Sequence, residues 1–234
     1  MPIADQVVLS LFPGIGLLDT AFELEGFCVV RGPDPLWGGD VARFHIPPGR
    51  FDGIIGGPPC QTFSVLSFMV RQNGRQPKFG NMIPEFERVV IEGQPSWFIM
   101  ENVPQAPLPD IPGYLLDNVI VNNRRFGDVL GFGARQHRTR RFSFGTRDGA
   151  RLPLDLALLA RGAAAHAVLG GQGSGLLRRH AYSIEEACEL QGLPRDFCRD
   201  MPFTRAGKFR AIGNAVPIPM GRAIARGVRR AMCL

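Results

Sequence analysis

The chain has 234 residues, 45% of them hydrophobic, enough for one α/β domain with a modest second lobe and a buried core. Its 27 lysines and arginines against 21 acidic residues give a net charge of +6 and a pI near 9.5, and only Lys78 and Lys208 are lysines; an arginine-rich balance of this kind points towards nucleic acid. No run approaches ~20 consecutive apolar residues, so no membrane-spanning helix is expected. The start, MPIADQVVLSLFPG, enters a strand-like run without the basic stretch and cleavage site of a signal peptide, and a cytoplasmic location is the default expectation. Cys28, Cys60, Cys188, Cys198 and Cys233 are scattered with no CxxC pair, which argues against a disulfide framework and against a zinc site. Cys28, inside the apolar run GFCVV, and Cys188, on a helix, read as small buried hydrophobes.

In chain order, VVLSLF (7–12) reads as a strand ending in PGIG. LLDTAFELE (17–25) reads as a helix with Leu17, Leu18, Ala21, Phe22 and Leu24 on its apolar stripe, closed by Gly26. FCVV (27–30) is a second strand, and RGPDPLWGGDVARFHIPPGR after it is loop-rich with at most a turn of helix. FDGIIGG (51–57) and WFIM (97–100) read as strands on either side of a helix over IPEFERVVIE (83–92). The alternation predicts βαβ units and a mostly parallel sheet. Further strands are expected near 117–123 and 141–145, and ARLPLDLALLARGAAAHAVL has a helical composition. Ser183, with Glu186 three residues on, forms a capping box for a helix in SIEEACELQGLP. PIPMGRAIARGVRRAMCL reads as a final helix with basic residues near its C-terminus.

Four short segments carry the chemistry. Leu11-Phe12-Pro13-Gly14-Ile15-Gly16 is a strand, a glycine turn and a helix start, where a ligand can approach the backbone. It is not the full dinucleotide fingerprint, because Asp19 stands where the third glycine would be. Gly57-Pro58-Pro59-Cys60-Gln61 is a stiff corner that presents a thiol at the carboxyl edge of the sheet, where open α/β sheets bind ligands. A thiol there gains attacking thiolate if a helix N-terminus or an arginine lies near it. Met100-Glu101-Asn102-Val103-Pro104 stands at another strand end; its carboxylate would neighbour the thiol across the sheet, or cap the next stretch of chain. The run Arg135-Gln136-His137-Arg138-Thr139-Arg140-Arg141 taken alone reads as a solvated basic loop.

Taken in this order, the segments LFPGIGLLDTAFELEGF, GGD, GGPPCQTFS, ENVP, QHRTR, SIEEACELQGLP and AIGNAVPIPM resemble those of the DNA (cytosine-5)-methyltransferases. The resemblance covers roughly residues 7–145 and 179–228. It implies a Rossmann-like S-adenosylmethionine-dependent methyltransferase sheet with a small target-recognition lobe. The catalytic domain would span 1–146, completed by 207–234, and the reduced recognition region 147–206. For the cofactor, the resemblance implies Phe12, Gly14 and Gly16 in the first motif, Asp40 at the adenine amino group, Pro58 in the pocket wall and Gly213-Asn214 returning to it. Leu17 stands where the family has a further glycine. The usual acidic residue for the ribose and its bulky neighbour are not in their expected pattern, and Asp34 and Trp37 are the candidates.

For catalysis, the resemblance implies Cys60 as the nucleophile and Glu101 as the carboxyl group on the ring N3 and amine. Arg140 would contact the base oxygen, with Arg138 as its supporting neighbour. The product of the cofactor would be S-adenosylhomocysteine. The substrate would be double-stranded DNA with the target cytosine flipped out. Residues 61–82 would close over it, with Gln61, Ser64, Arg71, Arg75 and Lys78 in contact with DNA. The family's large recognition region is reduced here to about 147–178, so the expected target is two or three base pairs or weakly specified, read by Gln172, Ser174, Arg178 and Arg179. A monomer is expected, in the cytoplasm of a bacterial or phage-infected cell, with roles such as restriction-modification in view. Two other readings stay open: a tRNA cytosine-5 methyltransferase, although the CFT tripeptide of that family is absent, and a catalytically silent DNA-binding relative. A thiol enzyme of different chemistry would want a histidine base, and His45, His137, His166 and His180 show no such pairing.

Overall fold

In a computed structural model, residues 6–59, 80–126, 134–156, 164–170 and 182–234 are described. Six strands form one sheet: β1 (Val7–Leu11), β2 (Cys28–Arg31), β3 (Gly53–Gly56), β4 (Trp97–Asn102), β5 (Leu115–Asn122) and, after the two-residue β6 (Gln136–His137), β7 (Thr139–Thr146). The order is β2-β1-β3-β4-β7-β5. The first four strands are parallel, and β7 lies antiparallel to both β4 and β5. The sheet is therefore mixed, with its parallel half built by βα units and its antiparallel half by a strand pair.

Alternation along the strands places a core on each face. Val8, Ile55, Trp97, Ile99, Phe142 and Phe144 point to one side. There they meet α1 (Leu17–Glu23) and α5 (Ile218–Ala231), the latter burying Met220, Ile224 and Val228 at four-residue spacing. Leu9, Leu11, Ile54, Phe98 and Met100 point to the other side, against Phe86, Val89 and Val90 of α2 (Ile83–Gly93). Each such side chain contributes about 1.5–3 kcal/mol when fully buried, so these two layers hold the sheet between its helices.

A third, smaller core joins α3 (Ile184–Leu190) to α4 (Arg205–Asn214) through Ala187, Cys188, Phe209 and Ile212. Ser183 and Glu186 form the expected capping box at α3, and Arg229 and Arg230 occupy the last turn of α5.

Two local expectations are corrected, and one helix forms where none was expected. Ala165–His166 is not helical; it forms the short strand β8, parallel to β6, and 151–156 carries no regular element, so alanine and leucine content yields to tertiary pairing. Cys28 is exposed, because β2 is the edge strand of the sheet, and Val30, two residues on, is exposed with it. Helix α4 has no clear signal in the sequence: its apolar residues are too few for a stripe, and Thr204 starts it by accepting from Gly207 N.

Candidate active site

The carboxyl ends of β1, β3 and β4 lie side by side, with Leu11 opposite Gly56 and Gly56 opposite Met100. Three of the four chemical segments therefore leave the sheet at one edge. After β1 the backbone turns sharply: Phe12 has φ 56°, in the left-handed region that a bulky residue rarely enters. Such strain survives only where the surroundings impose it, and it marks this turn as a functional candidate. The loop ends at Gly16, the N-cap of α1.

The segment after β2 folds onto this loop. Gly14 N donates to Asp34 Oδ2 at 2.8 Å, and the Trp37 indole donates to Gly14 O at 2.7 Å. The other Asp34 oxygen accepts from Leu36 N at 2.6 Å. The tertiary structure thus brings Asp34 and Trp37 to Gly14, in the middle of the loop between Phe12 and Gly16, across 20 residues of chain from Asp34. Trp37 is 59% exposed and its ring lies 5.7 Å from that of Phe203. Asp40 caps the short turn Val41–Arg43 through Ala42 N at 3.0 Å, and its other oxygen lies 3.5 Å from Arg43 Nε.

This cradle fits an adenosyl group. A side chain at Gly14 would meet nothing within 4 Å, so there is open space over the loop. Trp37 offers an uncovered aromatic face beside it, and Asp34 keeps acceptor capacity beyond its two bonds. An apolar wall with a few convergent polar groups is what a nucleoside needs.

At β4, Glu101 is buried, and one oxygen pairs with Arg140 Nε at 2.7 Å. The pair is set by register: Glu101 is opposite Phe142, and Arg140, two residues before Phe142 on β7, is its diagonal neighbour on the same face. The other Glu101 oxygen faces Gly57, where an added Cβ would stand 3.1 Å from it. Gly57 therefore lets the corner after β3 approach the carboxylate. Asn102, also buried, donates from Nδ2 to Pro58 O at 3.3 Å and accepts from Val103 N at 2.9 Å. It ties the β4 end to the proline corner. On the opposite face Arg141 pins the loop after β4, donating to Pro104 O at 2.9 Å and Pro107 O at 2.8 Å and also to Ala106 O. Burial lowers its guanidinium pKa below the ordinary value.

Arg138 is not at this edge in the same sense. It is 1% exposed and its guanidinium donates to Val168 O at 3.1 Å, Gly213 O at 2.9 Å and Ala215 O at 3.0 Å. It ties β7 to the end of α4. Two residues to which the sequence alone assigns no role complete this tie. Gln136 donates to Leu190 O at 2.7 Å and accepts from Val168 N at 3.2 Å, and Gln191 donates to Ile212 O. Their only signal is the glutamine in QHRTR and in ELQG, which has no meaning until the two stretches of chain meet. Gly213 is required there, since a Cβ would stand 2.4 Å from Gly170 N. Ala215 and Ile15 pack against one small cluster of Leu17, Ala21 and Ile218, while the Asn214 side chain faces Gly170, where an added Cβ would stand 3.1 Å from its Oδ1.

Cys60, Gln61, Ser64, Arg71, Arg75 and Lys78 lie outside the described residues, as do Gln172, Ser174, Arg178 and Arg179. Among the described residues no helix is long and apolar enough to cross a membrane.

A family model for C-5 cytosine-specific DNA methylases matches residues 38–159. The chain is 32% identical over 124 residues to the Type II methyltransferase M.AquIA of Picosynechococcus sp., covering 42% of this chain and 49% of that protein. It is 30% identical over 176 residues to the Type II methyltransferase M.HgiDI of Herpetosiphon aurantiacus, covering 61% and 52%. It thus spans about half the length of these curated relatives. The solved structure of the Entamoeba histolytica methyltransferase EhMeth superposes with a TM-score of 0.67 over 98% of this chain and 99% of that chain, at 11% identity, a likeness of fold. The Rossmann-like sheet, the cradle after β1 and the Glu101–Arg140 pair occur in a chain whose matched residues cover more than half its length, and the chain belongs to the C-5 cytosine-specific DNA methylase family.

Proposed function

We propose that this chain transfers a methyl group from S-adenosylmethionine to C5 of cytosine in double-stranded DNA, through a covalent adduct of Cys60 with a flipped-out base. The observation that carries the reading is the buried Glu101–Arg140 pair against Gly57, with Asn102 on the Pro58 carbonyl. A carboxyl group and a guanidinium 2.7 Å apart match the polar edge of cytosine, which offers an amine, a ring nitrogen and a carbonyl oxygen.

Phe12, Gly14, Gly16, Asp34, Trp37, Asp40, Pro58 and Asn214 would hold the cofactor, and when bound it supplies an electrophilic methyl on a sulfonium sulfur. Cys60 thiolate bonds to C6 of the ring, and the electron pair of the C5–C6 double bond is pushed towards C5. Glu101, as the carboxylic acid, donates its proton to N3 as this attack charges the ring and accepts from the exocyclic amine, and Arg140 holds the carbonyl oxygen; the proton returns to Glu101 when the ring is restored. C5 takes the methyl as its bond to the sulfonium sulfur breaks, which would leave S-adenosylhomocysteine; a base removes the C5 proton, and the C6–sulfur bond breaks to restore Cys60 and the aromatic ring. Asn102 and the two prolines fix the corner from which the thiol acts, so less is lost in ordering it. The short stretch between β7 and α3 supports a short recognition sequence.

The test is transfer of labelled methyl to duplex DNA by the wild-type chain and by Cys60→Ala and Glu101→Gln. Cytosine-5 methylation of duplex is expected, absent in C60A and about 100-fold or more slower in E101Q. Labelling of tRNA in place of duplex would transfer the reading to RNA, and methylation undiminished in C60A would refute the covalent route.

A further inference from the structure

Asp40 stands on a turn of three residues, Val41–Arg43, in a stretch from 32 to 52 with no strand. A 3₁₀ turn this short does not hold its own position. Two things locate it. Val41 is buried among the residues of the α2-side core. The other is Arg88, in the middle of α2. Its Nη2 donates to Val41 O at 2.8 Å and to Phe44 O at 3.0 Å, the two ends of the turn that Asp40 caps.

The guanidinium is itself fixed from behind. Its Nε donates to Glu85 at 2.9 Å and its Nη1 to Glu92 at 2.6 Å, both on α2. Glu92 also meets His45 Nδ1 at 3.1 Å, one residue beyond Phe44. Burial opposes the charge on Arg88, yet Glu92 and Glu85 more than offset it, and its pKa stands above the ordinary value. A planar fork with five donors can hold two carbonyls and two carboxylates at once; an ammonium cannot reproduce that plane.

We propose that Arg88 is a positioning residue for the adenine end of the cofactor pocket: it clamps the Asp40 turn to α2 and so sets where the Asp40 carboxylate meets the adenine amino group. This rests on the reading of Asp40 in the proposed function. Arg88 does not itself touch the cofactor. The consequence is chemical selectivity. A fixed carboxylate accepts from the 6-amino group of adenine and repels a 6-carbonyl, so S-adenosylhomocysteine should bind more tightly than S-inosylhomocysteine.

The experiment measures both affinities by calorimetry for the wild type, Arg88→Met, Arg88→Lys and Asp40→Asn. In the wild type the adenine form is expected to bind at least about tenfold more tightly, the worth of one good hydrogen bond. R88M should lose most of that ratio, as D40N does, and R88K should fall between. A merely structural role would weaken both ligands equally and leave the ratio unchanged. A ratio retained in R88M but lost in D40N overturns the role of Arg88 and leaves the Asp40 reading standing. A ratio retained in D40N overturns the Asp40 reading itself. If R88M does not fold, R88K decides: a wild-type ratio in R88K refutes the clamp.

Discussion

Replacing Arg138 with methionine separates an architectural role from a chemical one. Methionine keeps much of the buried volume and removes every donor. Two buried carbonyls, those of Val168 and Gly213, then lose the Arg138 bond, and the half-buried Ala215 carbonyl keeps only the longer bond from Gln191 Nε2 at 3.4 Å. Each unsatisfied buried acceptor costs about 1–3 kcal/mol, and relief from burying a charge returns part of that, so the net loss is about 3 kcal/mol. For a chain of this size 1 kcal/mol moves the melting temperature by about 2–4 °C, so a fall of about 6–12 °C is expected. The affinity for S-adenosylhomocysteine should fall with it, because the same bonds hold Gly213 and Ala215 on either side of Asn214, which the proposed function assigns to the cofactor. The assay is scanning calorimetry with and without ligand, beside methyl transfer at a temperature where the variant is folded. A melting temperature within about 2 °C of the wild type, together with lost turnover at saturating cofactor, would refute the argument and move Arg138 from the framework to the base.

Thiol accessibility depends on burial. Cys188 and Cys198 face each other with sulfurs 3.7 Å apart; burial pushes both thiols up, Cys198 to about 12, so in the folded chain neither should alkylate with iodoacetamide at pH 8 while the exposed Cys28 and Cys233 do. Mass spectrometry after labelling reads this directly, and rapid labelling of Cys198 without unfolding would contradict it. Glu92 gives a pH dependence. Burial alone would raise its pKa, but its hydrogen bonds with Arg88 and His45 prevail and hold it below the ordinary range. The folded state then binds fewer protons than the unfolded one, so this contribution is present above the unfolded pKa of about 4.3 and is lost as pH falls through the lower folded value. Melting temperatures from pH 6 to pH 3 should fall more steeply in the wild type than in Glu92→Gln; parallel curves would refute the linkage.

Much of the edge that carries the site was legible in the sequence, because strand ends are written locally. VVLSLF, FDGIIGG and WFIM announce buried strands, and the residues just after them must then fall at one edge of a parallel sheet. Other features were not local. Gln136 and Gln191 lie far apart in sequence and acquire a function only where β6 meets α3. Arg138 and Arg140 are two residues apart in one basic run, yet one is sealed among carbonyls and the other faces Glu101. Their difference comes from what packs over each end of the strand, a fact of tertiary contact. Cys28 and Ala165 depart from expectation for the same reason: apolarity and helix-forming composition do not say whether a strand is at an edge or which segment will pair with it.

By itself the sequence determined the α/β class, the four strands that build the parallel half, the glycine turn after the first strand, and the motifs that mark the family. These depend on residue type and short-range spacing, which the chain carries along its length. Tertiary structure alone decided that Asp34 and Trp37 close on Gly14, that Glu101 is the diagonal partner of Arg140, and that Arg88 holds the turn of Asp40. Those contacts join residues about 20 to 50 apart, and their formation depends on sheet register and helix packing. A hydrogen bond exists only where both partners are brought within about 3 Å, and no local pattern specifies that distance.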